Sequence, residues 1–266
     1  MDKVNSGNLR RYGDAPFSVA VIHGGPGAAG EMAPVAKELS LVCSVLEPLQ
    51  TVTSLEGQIQ ELQKVLENHA HLPITLIGHS WGAWLGLIFA AHCPSFVKKL
   101  ILVGSGPFEE KYASSIIDTR LKRLDEQERL FAHSFMESLR RGESQDEKAA
   151  FAQFGKLMAK ADTYDPLPLG VEEEVNCRGD IFRKVWEEAR ALRQSGGLLD
   201  IARQVRCPVV AIHGDYDPHP SEGVRNPLSL VINDFQFILL PNCGHKPWVE
   251  RSAKDAFHRI LMDAVN

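Results

Sequence analysis

Gly78-His79-Ser80-Trp81-Gly82 follows the apolar run Ile74-Thr75-Leu76-Ile77 and precedes the helical pattern Ala83 to Ala91, which puts a serine at the tip of a sharp strand-to-helix turn. Such a turn crowds the backbone around its central residue. The positions two before and two after the serine must then be almost free of side chain, and both are Gly. The hydroxyl is thereby directed outward. Gly-x-Ser-x-Gly alone is a modest signal, because both residue types are common. The strand and helix on either side give it weight against the plainer reading, a Gly-rich turn with a capping serine.

The rest of the chain repeats this alternation. Phe17 to Ile22, Leu41 to Leu46 and Ile74 to Ile77 each read as a buried strand. Thr53-Ser54-Leu55-Glu56 reads as a capping box, after which Leu55, Ile59, Leu62 and Leu66 recur on one helical face. A helix over Trp81 to His92 stops at Pro94, and the strand Leu100 to Val103 ends in Gly104-Ser105-Gly106-Pro107. Continuous apolar strands alternating with helices predict an α/β fold, a mostly parallel central sheet flanked by helices. From Phe108 to about Leu199 the residues become charged and helix-periodic, as in Leu130, Phe131, Ser134, Phe135 and Leu139, and again in Ile181, Val185, Trp186, Ala189 and Leu192. Residues 108–197 are therefore expected to form an inserted helical cap on a core of residues 1–107 and 198–266. The strand pattern resumes at Cys207 to Ile212 and Phe235 to Leu240, before a closing helix from about Ser252. An insertion leaving the carboxyl end of a central parallel strand sits above the edge where such sheets place ligands, so this one is a candidate lid.

A length of 266 residues, 44% of them hydrophobic and 24% charged, suits one large domain with an inserted subdomain. The net charge of -5 offers neither a basic surface for nucleic acid nor a polybasic membrane patch, and neither is expected as a partner. Met1 to Pro16 is polar and has no apolar core that could serve as a secretion signal, and no later segment approaches membrane-spanning length, so the cytoplasm is the expected compartment. Cys43, Cys93, Cys177, Cys207 and Cys243 are widely spaced and mostly lie in apolar runs; they suggest neither a disulfide framework nor a zinc site. They read as small core residues, Cys243 included.

Three further features stand just after strands, and in a parallel sheet such strand ends lie on one edge. Asp215 and Asp217 follow Ile212 in His213-Gly214-Asp215-Tyr216-Asp217-Pro218, and His245 follows Leu240 in Asn242-Cys243-Gly244-His245-Lys246-Pro247. A serine hydroxyl is a poor nucleophile until an imidazole takes its proton, and the imidazole needs a carboxylate to fix its tautomer and offset its charge. The fourth feature is His23-Gly24-Gly25-Pro26-Gly27, after Ile22. Acyl transfer passes through an oxyanion that two backbone N–H groups stabilise. Pro26 has none, so Gly25 is the donor from this loop, paired with the N–H of Trp81. Read blandly, the same loop is a flexible turn. Chemistry of this kind calls for no metal and no cofactor.

Together these residues resemble the α/β-hydrolase superfamily, over Phe17 to Pro107 and Leu198 to the end as the catalytic core, with the middle as its variable cap. The resemblance implies a triad of Ser80, Asp217 and His245, because the family spacing Gly-x-x-Asp from Gly214 selects Asp217 and leaves Asp215 as a turn residue. It also makes His23 and His79 structural; His213, at a strand end, is expected to be packed. The loop Glu47-Pro48-Leu49-Gln50 departs from the Asp-x-Arg-Gly pattern common in the superfamily. The activity implied is hydrolysis of a small ester or amide through an acyl-enzyme. Two other outcomes are open: transfer of the acyl group to an alcohol or thiol, and a non-catalytic binding protein on the same fold. His23-Gly24-Gly25-Pro26-Gly27 with Ser80-Trp81-Gly82 is similar to the proline iminopeptidase branch. An aminopeptidase would need acidic cap residues for the substrate ammonium, and Glu109, Glu110 and Glu172-Glu173-Glu174 are candidates, although a run of glutamates is more simply a solvated face. Phe131, Phe135, Phe151, Phe154 and Trp186 could line an acyl pocket, but their helical spacing reads more simply as the cap's own small core.

Overall fold

The computed structural model describes residues 7–141, 147–168 and 176–265. The chain opens with strands β1 (Leu9–Tyr12), β2 (Phe17–Ile22) and the two-residue β3 (Ala28–Ala29), then helix α1 (Ala33–Leu39), β4 (Val45–Pro48), α2 (Leu55–His69), β5 (Ala70–His79), α3 (Trp81–His92) and β6 (Val97–Val103). Four helices and a two-residue strand come next, α4 (Ile116–Lys122), α5 (Glu126–Arg141), α6 (Glu147–Ala161), β7 (Asn176–Cys177) and α7 (Gly179–Ser195). The chain closes with α8 (Gly197–Ala202), β8 (Val209–Gly214), α9 (Glu222–Val231), β9 (Phe235–Leu240) and α10 (Lys254–Val265).

Seven strands form one sheet in the order β1-β4-β2-β5-β6-β8-β9, parallel throughout except for β1, which runs antiparallel to β4. The apolar runs are continuous because successive side chains serve opposite faces, both covered by helices. On one face Ala20, Ile22, Leu76, Leu100, Leu102 and Ala211 pack with residues of α2, α3 and α7 to α9. On the other, Val19, Val21, Ile77, Ile101, Val103 and Ile212 pack with α1 and α10. Helix α3 is buried from Trp81 to Ala90, as expected of the helix that carries the elbow. Among the described residues no helix is long and apolar enough to cross a membrane.

Two sequence expectations shift. The strand read over Leu41 to Leu46 is β4, beginning only at Val45; Leu41 and Val42 are 74% and 53% exposed. The chain leaves α1 through a tight turn in which the N–H groups of Val42 and Cys43 both reach the Leu39 carbonyl, so these apolar residues have no partner strand. The cap of α2 is Ser54, whose hydroxyl accepts the Gly57 N–H at 3.2 Å. A capping box built from Thr53 to Glu56 is one residue out of register, and with glycine at the third helical position no reciprocal side-chain bond can form.

Candidate active site

The expected nucleophile sits at the junction of β5 and α3 with φ 52° and ψ −110°, a conformation that costs a non-glycine residue about 1–3 kcal/mol. A Cβ on Gly78 would run into the Gly82 carbonyl oxygen, and one on Gly82 into the carbonyls of Ile22 and His23, so the elbow closes only with glycine on both sides. The Ser80 N–H is anchored on the Val103 carbonyl at 2.9 Å, which fixes the backbone while the side chain stays partly exposed. Its hydroxyl makes no hydrogen bond to the described residues, His245 among them.

At the same sheet edge, the loops after β8 and β9 bring Asp217 and His245 together. Asp217 Oδ2 lies 2.7 Å from His245 Nδ1. Burial alone would raise the Asp217 carboxyl, but His245, His219 and His213 outweigh it and hold it well below the usual range. Burial alone would lower His245, and the Asp217 charge reverses this, so its imidazole titrates above the ordinary histidine value. Asp215 is a turn residue, its carboxylate accepting the Cys243 N–H at 3.2 Å. Cys243 is packed, its thiol pushed up by burial.

The two ends of this arrangement are joined through His79, next to Ser80. Its Nε2 donates to the His245 carbonyl at 3.2 Å, and the two rings are 4.7 Å apart. Its Nδ1 pairs with Glu31 at 3.2 Å. Burial alone would raise Glu31, but Lys246, 2.6 Å away, and His79 hold it well below the usual range. Glu31 also accepts the Gly24 N–H at 3.0 Å, so one carboxylate ties the elbow, the His245 loop and the loop after β2. In that last loop, Gly25-Pro26-Gly27-Ala28 is a turn closed by the Ala28 N–H on the Gly25 carbonyl at 2.8 Å, with Gly27 at φ 91°. Neither the Gly25 nor the Trp81 N–H meets an acceptor among the described residues. His23 is fully buried and accepts the Gln50 N–H at 3.3 Å through Nε2.

Several residues of this site went unremarked in the sequence. His219 donates its backbone and ring N–H to Asp217 Oδ1 at 2.9 and 2.7 Å and stacks on His245 at 4.5 Å. Asp217-Pro218-His219 carries a local signal for this, since an aspartate accepting the N–H two residues on is an Asx turn. Glu250 and Asp162 have no such signal, because their partners are distant. Buried Glu250 accepts the N–H groups of Gly244 and Tyr164 at 2.9 Å each and of Asp165 at 2.8 Å. The Asp162 carbonyl accepts the His245 N–H at 2.8 Å, while its carboxylate is held by Arg120 in a two-point pair of 2.6 and 2.7 Å.

Asp217, His219 and His245 each place a potential ligand atom within 4.8 Å of the others. Their nitrogen-to-oxygen separations of 2.7 Å are hydrogen-bond lengths, shorter than the roughly 3.3 Å between two ligands of one tetrahedral zinc. The cluster is a hydrogen-bonded one as it stands. Of the acids considered for an ammonium, Glu110 is paired with Arg193 at 2.7 Å and Glu109 with Lys111 at 3.1 Å, and Glu172, Glu173 and Glu174 lie outside the described residues. The aromatic residues of the helical segment do more than fill it. Trp186 stacks on Trp84 of α3 at 5.8 Å, and Phe182, Phe151 and Phe135 continue the row outward at 6.3, 5.6 and 6.3 Å.

No curated protein matches the chain by sequence. Among solved structures it is similar to VinJ, at 17% identity and TM-score 0.69 over 97% of this chain and 93% of that one. It is also similar to a putative lipase from Acinetobacter baumannii AYE, at 18% identity and TM-score 0.65 over 98% and 90% of the two chains. A proline iminopeptidase from Mycobacterium smegmatis follows at 18% identity and TM-score 0.61, over 97% and 93%. At such identities these likenesses speak for the fold. The model of the alpha/beta hydrolase family matches residues 19–260, and the chain belongs to that family.

Proposed function

We propose that this protein is a serine hydrolase that cleaves a small ester or amide through an acyl-enzyme. Ser80 is the nucleophile, His245 the base and Asp217 the carboxylate behind it, with the N–H groups of Gly25 and Trp81 as the oxyanion hole. In this reading the helical segment over residues 108–197 is the cap. The observation that carries the proposal is the strained serine at a sheet edge beside a buried carboxylate–imidazole pair 2.7 Å apart. A binding protein on this fold gains nothing from holding a serine at φ 52°, whereas a nucleophile needs its hydroxyl clear of the sheet.

The Asp217 carboxylate can only accept, so His245 Nδ1 carries the hydrogen and Nε2 keeps the lone pair that a base requires. Rotation of the Ser80 side chain toward Nε2 makes the contact that the resting arrangement lacks. As the hydroxyl oxygen bonds to the acyl carbon, its proton passes to Nε2, and the imidazolium is offset by Asp217. The proton then goes to the leaving group, and water repeats the sequence to free the acid. Two amide N–H donors without acceptors are suited to the oxyanion, each worth about 2.7–4 kcal/mol of barrier.

A fluorophosphonate probe should label Ser80 in the parent protein and leave the Ser80→Ala variant unlabelled. A panel of short p-nitrophenyl esters beside an aminoacyl-proline-type amide separates esterase from peptidase, and added alcohol or thiol reveals acyl transfer. Ester turnover retained by Ser80→Ala would refute the assignment.

A further inference from the structure

A triad needs one contact to its carboxylate, and Asp217 has more. On Oδ2 it meets His245 Nδ1 at 2.7 Å and His213 Nε2 at 3.5 Å. On Oδ1 it accepts the His219 backbone N–H at 2.9 Å and His219 Nδ1 at 2.7 Å. We propose that His219 is a positioning residue for the Asp217–His245 pair, whose ring N–H fixes the carboxylate and restrains the basicity of His245. The inference rests on the hydrolase reading above.

The tautomers follow from the partners. Asp217 has no proton to give, so His219 Nδ1 must donate, as His245 Nδ1 does. His213 Nε2 lies 2.8 Å from the His219 carbonyl and donates to it, which locks the backbone that aims the His219 ring. Burial drives the His219 pKa down to about 4 against the pull of Asp217, so the ring is a neutral donor wherever the base works. The His219 ring covers one neighbour of this packing: it lies 4.5 Å from the His245 ring with 28° between planes, while His79 lies 4.7 Å from that ring at 53°.

A carboxylate hydrogen-bonded through Oδ1 offers less of its charge to the group on Oδ2. Removing the His219 N–H leaves more for the His245 imidazolium and raises the pKa of that histidine. The other charged and titratable groups around His245 stay in place: His213 from β8, His79 from the elbow with Glu31 and Lys246 behind it, and Arg120 with Asp162 from the helical segment. A role in packing alone would not distinguish a side chain that donates from one that does not.

The test compares His219→Phe, which keeps a flat ring, with His219→Gln, which restores an N–H donor. Both are made on the Ser80→Ala background, and the His245 ring is titrated by NMR, a measurement that needs no turnover. His219→Phe is expected to raise the His245 midpoint by about half to one pH unit, with His219→Gln returning most of the way to the parent. A Phe variant that titrates with the parent, or a Gln variant displaced as far as Phe, overturns the proposal. In the active protein the acid limb of kcat/KM should move by the same amount. Absence of hydrolysis in the parent would count against the hydrolase reading and leave the titration result standing.

Discussion

Glu250→Gln is the substitution that most directly asks whether the helical segment and the His245 loop act as one unit. The buried Glu250 carboxylate holds three backbone N–H groups: Tyr164 and Gly244 on Oε1, Asp165 on Oε2. However a glutamine amide is turned, its NH2 faces at least one of them. One buried N–H then loses its acceptor, at about 1–3 kcal/mol, and each surviving hydrogen bond loses about 1 kcal/mol of charge assistance. The sum is roughly 3–5 kcal/mol, a fall in Tm of about 5–10 °C for a chain of this size. Because Gly244 precedes His245, kcat should also drop by about tenfold or more at temperatures where the variant is folded. Thermal unfolding followed by circular dichroism, with ester kinetics at 25 °C, makes the check. A Tm within about 1 °C of the parent and an unchanged kcat would refute this account of Glu250.

Ser80→Gly should be more stable than Ser80→Ala by about 1–2 kcal/mol although both are inactive, because glycine adopts φ 52° without strain; equal urea midpoints would remove the strain argument. Gly82→Ala should destabilise by about 1–3 kcal/mol or more, since the new methyl meets the carbonyls of Ile22, at the end of β2, and of His23, and unfolding in urea measures it. Activity should be lost as pH falls through a midpoint above the ordinary 6.5 of histidine, because His245 must be neutral to take a proton and Asp217 raises its pKa; a midpoint below 6.5 in kcat/KM contradicts this. Glu31, held below its ordinary 4.5, adds stability that is present above that value and disappears as pH drops toward the lower folded pKa, and Glu31→Gln should flatten that part of the stability curve.

What could be read from the sequence was what is local. The elbow is two glycines, a serine and the elements beside them; the strand ends that carry Asp217 and His245 are marked by apolar runs that stop in glycine. Strand Phe17–Ile22 and helix Trp81–His92 lie where the pattern puts them, because both of their ends carry a breaker. The run at Leu41 misled because an apolar residue in a turn looks like one in a strand, and only pairing separates them. Glu250, Asp162 and Glu31 were illegible for a different reason. Each is polar, unremarkable in its own neighbourhood, and takes its meaning from N–H groups or charges that the fold brings from 6 to 86 positions away. His219 falls between the two cases, since the Asx turn is local but the ring it stacks on is not.

Among the described residues the segment after β6 meets the site at several places, two of which bear on how it can act. At its α6 end, the Asp162 carbonyl takes the His245 N–H, Glu250 gathers Tyr164, Asp165 and Gly244, and Leu167 and Val249 join at 2.8 Å. Before α7, β7 pairs with β3, and the Arg178 N–H reaches the Gly27 carbonyl at 2.9 Å, where a side chain on Gly27 would not fit. One attachment thus holds the loop proposed to carry the base and the other the loop proposed to carry an oxyanion donor. A cap that swung away as a rigid body would pull both out of register with Ser80. By the same argument, deleting residues 108–197 would remove more than a cover: it would strip the His245 N–H of its acceptor and leave Glu250 with Gly244 alone of its three N–H partners.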